Sequence, residues 1–288
     1  MKNKFIEPSI SATLNIFLRH VLVLLMFYSA IQTTHAQETT SLVTKQQTAS
    51  SVKEYPVLWQ QTAAEYRALC YQAFNIAAVR LNEIPNRKIR KEKLAIITDL
   101  DETILDNSYV DAQLIKDGKE MTNAEWKKWT DKSAATAVPG AVEFLQAASK
   151  KGFTIFYISN RDTASVQSTL IDLKRLQLPD ADTAHMLFLS NTSSKETRRQ
   201  IVASTYNVIM LLGDNLNDFM NVFEKKSIAE RFAETDKEKQ EWGKKFIVLP
   251  NSTYGEWENA LYNYEKQLSP SQKELIRKQL LKGYDTIK

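Results

Sequence analysis

The 288 residues are 43% hydrophobic and 25% charged, enough for one large globular domain or one domain with an appendage. The net charge of +4 comes with no long run of like sign, which argues against a groove for a nucleic-acid polymer. A single cysteine excludes an internal disulfide, and three histidines are too few to spare for a histidine-rich catalytic zinc site.

In chain order, Lys2, Lys4 and Arg19 precede the apolar run VLVLLMFYSAI (21–31) and a stretch of small residues ending at Ala36. Basic, then apolar, then small is the order of a secretory signal peptide, here 1–36, with the mature chain starting at Gln37. The alternative is an uncleaved N-terminal anchor, although the run is short for a membrane span. No cysteine follows it, so no lipid anchor is expected, and the product is expected to be exported, periplasmic or secreted, and soluble. His20 and His35 fall in this leader, which leaves His185, read as a surface residue ahead of a strand; no Ser-His-Asp triad is expected.

Residues 37–53 read as a polar linker rich in Thr, Ser and Gln. From 58 to 81, LWQQTAAEYRALCYQAFNIAAVRL repeats apolar residues every three or four positions without Gly or Pro, which predicts one helix, with Cys70 a core or helix-face residue. The cluster RKIRKEK (87–93) reads as a solvated helix end. Then apolar runs alternate with amphipathic pieces. The runs are LAIITD (94–99), FTIFYIS (153–159), MLFLS (186–190), VIMLLGD (208–214) and FIVLP (246–250). This alternation predicts an α/β fold with a parallel, Rossmann-like sheet buried on both faces. The segment 106–138 is long for a connection and carries the helical stretch NAEWKKWTDK; the tail from Ser269 reads as an amphipathic helix. The expected domain is 54–288, with a core at about 91–105 and 139–250 and a smaller helical subdomain from 54–90, 106–138 and 251–288.

In such sheets, ligands bind beyond the carboxyl ends of the strands, where Asp99, Ser159 and Asp214 close three of the runs. The stretch IITDLDETILDNS (96–108) gathers Asp99, Asp101, Glu102 and Asp106, and crowded carboxylates repel unless something positive sits among them. Asp214 and Asp218 add to the same edge. Carboxylates meeting there make an oxygen-rich site for a hard divalent cation, and Mg2+ suits one or two carboxylates plus a substrate phosphate. Ser159, the backbone at Asn160, and Lys195 supply the hydroxyl, N–H and ammonium donors that a phosphate group needs. Thr103 reads as a helix cap or as part of the acidic motif. Arg161 pairs with phosphate or with a carboxylate, while Glu102 and Asp106 are expected outside direct contact.

DLDET (99–103), followed in order by Ser159, Lys195 and GDNLND (213–218), resembles the four motifs of the haloacid dehalogenase superfamily. DLDETILDNS, AVPGAVEFL, FYISNRD, SSKETRR, LLGDNLNDF and VLPNSTYGEWE together resemble the class C bacterial acid phosphatases, the lipoprotein acid phosphatase and 5'-nucleotidase family, over about residues 59–264. The resemblance implies Asp99 as a nucleophile that forms an aspartyl phosphate, and Asp101 as general acid and then base. It implies Mg2+ held by the carboxylates of Asp99 and Asp214 and the backbone carbonyl of Asp101. Ser159, Asn160 and Lys195 would hold the phosphoryl oxygens, and Asp218 would orient Lys195 or a water on the metal. Trp126 and Tyr254 match positions that flank the substrate and sandwich a nucleobase, pointing to nucleoside 5'-monophosphates; the alternative makes both rings core or interface anchors. A homodimer is suggested as well.

The chain departs from the family in lacking a lipid-bearing cysteine, in Tyr109 where proline is frequent, in Asn217 where aspartate is frequent and in Ser190 where lysine is frequent. The expected function is an exported, Mg2+-dependent acid phosphatase acting on small phosphomonoesters. The alternatives are phosphoryl transfer to acceptors other than water, and a binding or storage protein of the same fold, against which the presence of both Asp99 and Asp101 argues.

Overall fold

The computed structural model describes residues 52–84 and 92–286. The leader, the linker up to residue 51 and most of the basic cluster 87–93 lie outside the described residues.

Strand β1 (Leu94–Thr98) is buried along its whole length, which is why its sequence is an unbroken apolar run. A short strand β2 (Leu105–Asp106) follows, then the helices α3 (Ser108–Asp117) and α4 (Asn123–Thr130), and β3 (Thr136–Ala137), which pairs back on β2 antiparallel. From there strands and helices alternate: α5 (Ala141–Lys150), β4 (Thr154–Ile158), α6 (Val166–Arg175), β5 (Met186–Leu187), α7 (Glu196–Ala203), β6 (Asn207–Gly213), α8 (Ile228–Lys237) and β7 (Phe246–Val248). The main sheet has the order β5-β4-β1-β6-β7 and is parallel throughout, with Ile96 opposite Ile155 on one side and Met210 on the other.

Successive side chains of a strand point to opposite faces, and the core divides accordingly. Ile96, Ile155, Tyr157, Met210 and Leu212 pack into one apolar cluster; Ala95, Ile97, Phe156, Ile158 and Leu211 pack into the other with Val202 and Phe219. The first cluster is completed by the N-terminal helix pair. Here the sequence expectation of one helix is corrected: α1 (Glu54–Thr62) and α2 (Ala64–Glu83) are separated at Ala63, whose φ of −79° and ψ of 127° are extended. Neither Gly nor Pro marks the break. Its cause is tertiary: α1 packs on α3, whereas α2 packs on α5 and β7. Tyr66, Cys70, Phe74, Ala77 and Leu81 of α2 face the sheet, and Cys70 is fully buried and unpaired.

The helices outside the sheet segments are therefore placed differently from one another. α2 shares the core of the sheet, α3 and α4 stand on the insert closed by β2 and β3, and the C-terminal α10 (Pro270–Leu280) meets α9 (Glu256–Leu261) and buries none of its residues. α10 starts as its sequence indicates, with a reciprocal cap between Ser269 and Gln272 and proline at its first position. Among the described residues, no helix is long and apolar enough to cross a membrane.

Candidate active site

Every strand that ends at the carboxyl edge beside β1 delivers a polar residue there. Asp99 continues β1 by one residue, its N–H still bonded to Leu212 O at 3.0 Å. The chain then turns tightly, with Leu105 N–H on Leu100 O at 2.8 Å and Glu102 in the left-handed region at φ 57°. That turn corrects one reading: Thr103 caps no helix. Its hydroxyl lies 3.4 Å from Asp99 Oδ2 and 3.2 Å from Asp214 Oδ1, tying the first acidic loop to the loop after β6.

Asp214 and Asp218 come from that second loop, where Asn215 and Asp218 cap a short 3₁₀ turn reciprocally. Gly213 lets it close: a Cβ there would stand 2.4 Å from Asp218 Oδ2. Lys195, at the start of α7, reaches in from the far side. Its ammonium bonds Asp99 Oδ1 and sits 2.6 Å from Asp218 Oδ1, with its side chain buried. Asn251, just beyond β7, donates to Asp214 Oδ2 at 2.7 Å.

Three carboxylates, Asp99, Asp214 and Asp218, thus offer oxygens within 4.8 Å of one another, against one lysine. The imbalance has visible electrostatic consequences. Burial pushes the Asp99 carboxyl up to about 7 despite the pull of Lys195, with Asp218 and Asp101 adding to the rise. Burial, Asp218 and Asp99 hold Asp214 well above the usual carboxylate range. Burial alone would lower the Lys195 ammonium, yet the charges of Asp218 and Asp99 raise it, so it stays charged. A hard divalent cation fits this set: all donors are oxygens, and two positive charges balance what one lysine leaves uncompensated.

A pH dependence follows for the protein freed of divalent cations. A buried carboxyl that titrates higher folded than unfolded stabilises the fold at low pH, and that stability is lost as pH rises from about 4 through about 7. The melting temperature in chelator should fall by several degrees between pH 5 and pH 8, and added Mg2+ should raise it more at pH 8. A profile that stays flat, or rises, would contradict the charge imbalance.

Asp101 points elsewhere. Arg161 donates to its Oδ1 from Nη2 at 2.8 Å and from Nε at 3.0 Å, and Asn107 Nδ2 donates to the same oxygen at 2.8 Å. The alternatives for Arg161 are thereby resolved in favour of the carboxylate. Ser159 is fully buried; its Oγ lies 3.4 Å from Asp101 Oδ2 and accepts the Arg161 N–H at 3.1 Å. The remaining acids of the crowded stretch have local partners. Asp106 Oδ1 accepts Ser108 N–H and Gln60 Nε2, each at 2.9 Å, at the start of α3. Glu102 accepts the Asn107 N–H at 2.8 Å and the Tyr254 hydroxyl, and its burial beside Asp101 raises its carboxyl well above the usual range.

One cavity of about 510 Å³ is lined by Asp99, Asp101, Asn160, Lys195, Asp214 and Asp218, with Trp126 and Tyr254 on its walls, while the fully buried Ser159 stands behind Asp101 and is not part of the lining. Both rings are half-buried. A cation lies over each: Arg161 at 5.6 Å from the Trp126 centroid and Lys53 at 5.5 Å from that of Tyr254. Asn160 is exposed, and its side chain bridges Ser193 O and Arg198. His185 stays outside the site, bonded to Asp182 at 2.8 Å. Sequence reasoning missed Asn107 and Asn251. Asn251 follows β7 at the same sheet edge and Asn107 follows the short ribbon strand β2, but a lone asparagine carries no pattern of its own.

A parallel sheet whose central strand runs into DxDxT, met by a lysine and by a second acidic loop at the same edge, is the arrangement of the haloacid dehalogenase (HAD) superfamily. The sequence model of HAD superfamily, subfamily IIIB (acid phosphatase), matches residues 20–257, and the chain belongs to that family. It is also similar to the class C acid phosphatase from Bacillus anthracis in a structure with tungstate bound: 39% identity over 82% of this chain and 99% of that one, at a TM-score of 0.78. A second structure of that phosphatase gives 39% identity and a TM-score of 0.78 over 83% of this chain and 100% of that one. Family and structural likeness together indicate phosphomonoesterase activity. HAD enzymes generally use a divalent metal, which accords with the acidic cluster.

Proposed function

We propose that the chain is an exported, Mg2+-dependent acid phosphatase that hydrolyses small phosphomonoesters, nucleoside 5'-monophosphates among them, through an aspartyl phosphate on Asp99. The observation that carries this is the separation of two carboxylates on one turn. Asp99 sits in the acidic cluster against Lys195, while Asp101 is held apart by Arg161 and Asn107. This difference in surroundings supports a reading in which Asp99 attacks and Asp101 handles protons.

Mg2+ would be held by the carboxylates of Asp99 and Asp214 and the backbone carbonyl of Asp101, with Asp218 beside them. When bound, it neutralises charge on the phosphoryl group and orients it. Asp99 attacks phosphorus through a carboxylate oxygen and the ester P–O bond breaks. Asp101 gives its proton to the departing oxygen. Water then attacks the phosphorus of the aspartyl phosphate, Asp101 takes a proton from that water, and phosphate leaves with the Asp99 carboxylate restored. Lys195, Ser159 and the backbone at Asn160 hold the phosphoryl oxygens, so that positioning and charge carry most of the rate. Tungstate is a tetrahedral oxyanion like phosphate, and its presence in the similar Bacillus anthracis enzyme supports a site of this kind. Phosphate release from a panel of monophosphates tests the proposal. Activity should disappear with chelator and return with Mg2+; chelator-insensitive turnover, or none on any ester, would overturn it.

For the leaving group, Trp126 and Tyr254 supply flat walls. If Tyr254 stacks on a base, Tyr254→Ala should raise KM for nucleoside monophosphates by roughly tenfold for each ~1.4 kcal/mol of stacking lost, within the ~1–3 kcal/mol such contacts contribute. KM for a small non-aromatic ester should stay nearly unchanged. Tyr254→Phe, which removes only the bond to Glu102, should keep the wild-type KM. Equal losses on both esters would assign the ring to packing.

The leader supports export with cleavage after Ala36 and no lipid. Intact mass of protein from its native host should correspond to a chain starting at Gln37. A mass including residues 1–36, or an acyl chain, would contradict this.

A further inference from the structure

We propose that Asn107 and Arg161 form a clamp that fixes the carboxyl of Asp101 with Oδ2 toward the ester oxygen, making both positioning residues for the proton transfer; this rests on Asp101 as the proton donor. Asn107 is buried, and its polar atoms are committed. Its N–H donates to Glu102 Oε1 at 2.8 Å and its Nδ2 to Asp101 Oδ1 at 2.8 Å. Its Oδ1 accepts Trp129 Nε1 at 2.8 Å and Arg161 Nη2 at 3.3 Å. Two donors on Oδ1 fix the sense of the amide, so its NH2 group must face Asp101.

Arg161 is as constrained. Its side chain is 1% exposed, Nη1 donates to Thr169 Oγ1 of α6 at 2.9 Å, and its Cζ lies over the Trp126 ring, 5.6 Å from the centroid. The guanidinium therefore enters from a fixed direction, and it meets the oxygen of Asp101 that Asn107 also meets. Three short donors converge on Oδ1, while the contacts of Oδ2 are longer: Ser159 Oγ at 3.4 Å and Arg161 Nε at 3.3 Å. Oδ2 is left to carry the proton. It gives that proton to the alcohol oxygen as the P–O bond breaks, and in the second half-reaction it takes one from the attacking water.

A loosened clamp should matter most where the leaving oxygen is basic. A nitrophenolate departs without a proton, whereas an alkoxide requires one. The test is kcat/KM for an alkyl phosphate and for 4-nitrophenyl phosphate, measured on wild type, Asn107→Ser, Arg161→Lys and Asp101→Asn, with inhibition by inorganic phosphate and melting temperature alongside. Arg161→Lys keeps the charge and loses the fork, so it carries the test where Asn107→Ser does not fold. The clamp variants should lose on the order of 100-fold on the alkyl ester and only a few-fold on the nitrophenyl ester, at unchanged phosphate inhibition. Equal losses on both esters, or weakened phosphate inhibition tracking the loss, would overturn the clamp and make Arg161 a structural or phosphate-binding residue. If Asp101→Asn discriminates between the esters and the clamp variants do not, the clamp alone falls. If Asp101→Asn does not discriminate, the proton-donor role of Asp101 falls, and the clamp with it.

Discussion

Asp99→Asn should abolish phosphate release while leaving the fold intact. The amide is nearly isosteric with the carboxylate, and Lys195 keeps its bond to Asp218. An amide is a very poor nucleophile and a weaker metal ligand, so the loss should exceed ~10³-fold, more than one electrostatic contact usually supplies. Acid-quenched enzyme incubated with labelled substrate should carry covalent phosphate in the wild type and none in the variant. The metal-free variant should also melt no lower than wild type at pH 8, because one of three clustered carboxylates, itself buried, has been neutralised. Retention of a tenth of the activity would sink the covalent mechanism.

Lys195→Met should produce the second large effect, on stability as well as rate. The ammonium is buried between Asp99 and Asp218, and removing one partner from a buried ion pair leaves the others uncompensated, at a cost of about 3–5 kcal/mol. For a domain of this size that corresponds to a drop in melting temperature of about 10 °C. The drop should be largest in chelator at pH 8. It should shrink at pH 5, where Asp99 and Asp214, both raised by burial, take up protons. Turnover should fall on the order of 100-fold, since a donor aimed at the phosphoryl oxygens is lost. A melting temperature within ~2 °C of wild type in chelator at pH 8 would mean that the lysine does not hold the cluster together.

Much of this site could be read before any coordinates because its architecture leaves a trace in one dimension. Strands buried on both faces must be apolar throughout, so LAIIT, TIFYI and NVIMLLG stand out, and the residues that follow them are on the binding edge by topology. Asp99, Ser159 and Asp214 were found in that way. Lys195 was legible only through its company. What escaped depended on side-chain direction or on tertiary packing. The break at Ala63 has no local signal, because it is set by which partners α1 and α2 find. Thr103 looked like a cap because the sequence does not show that a tight turn, rather than a helix, follows the acidic motif. The partner of Arg161 depended on where Asp101 Oδ1 points, and no spacing rule contains that.

The two-residue ribbon between β2 and β3 has a practical consequence for how such an enzyme changes its diet. Leu105 pairs with Ala137 and Asp106 with Thr136, so the whole insert leaves and rejoins the body at a single pinned doorway. Trp126 is housed inside it, whereas Asp99, Ser159, Lys195 and Asp214 are anchored on the sheet side of the doorway. Much of the wall that greets the alcohol half of a substrate is in this sense a cartridge, exchangeable without resetting the phosphoryl floor. The exceptions are the residues tied to the proton-handling carboxyl. Asn107, one residue past the doorway, is wired to Asp101, Trp129 bonds Asn107, and Trp126 lies against Arg161, so a graft that preserves turnover has to keep these contacts.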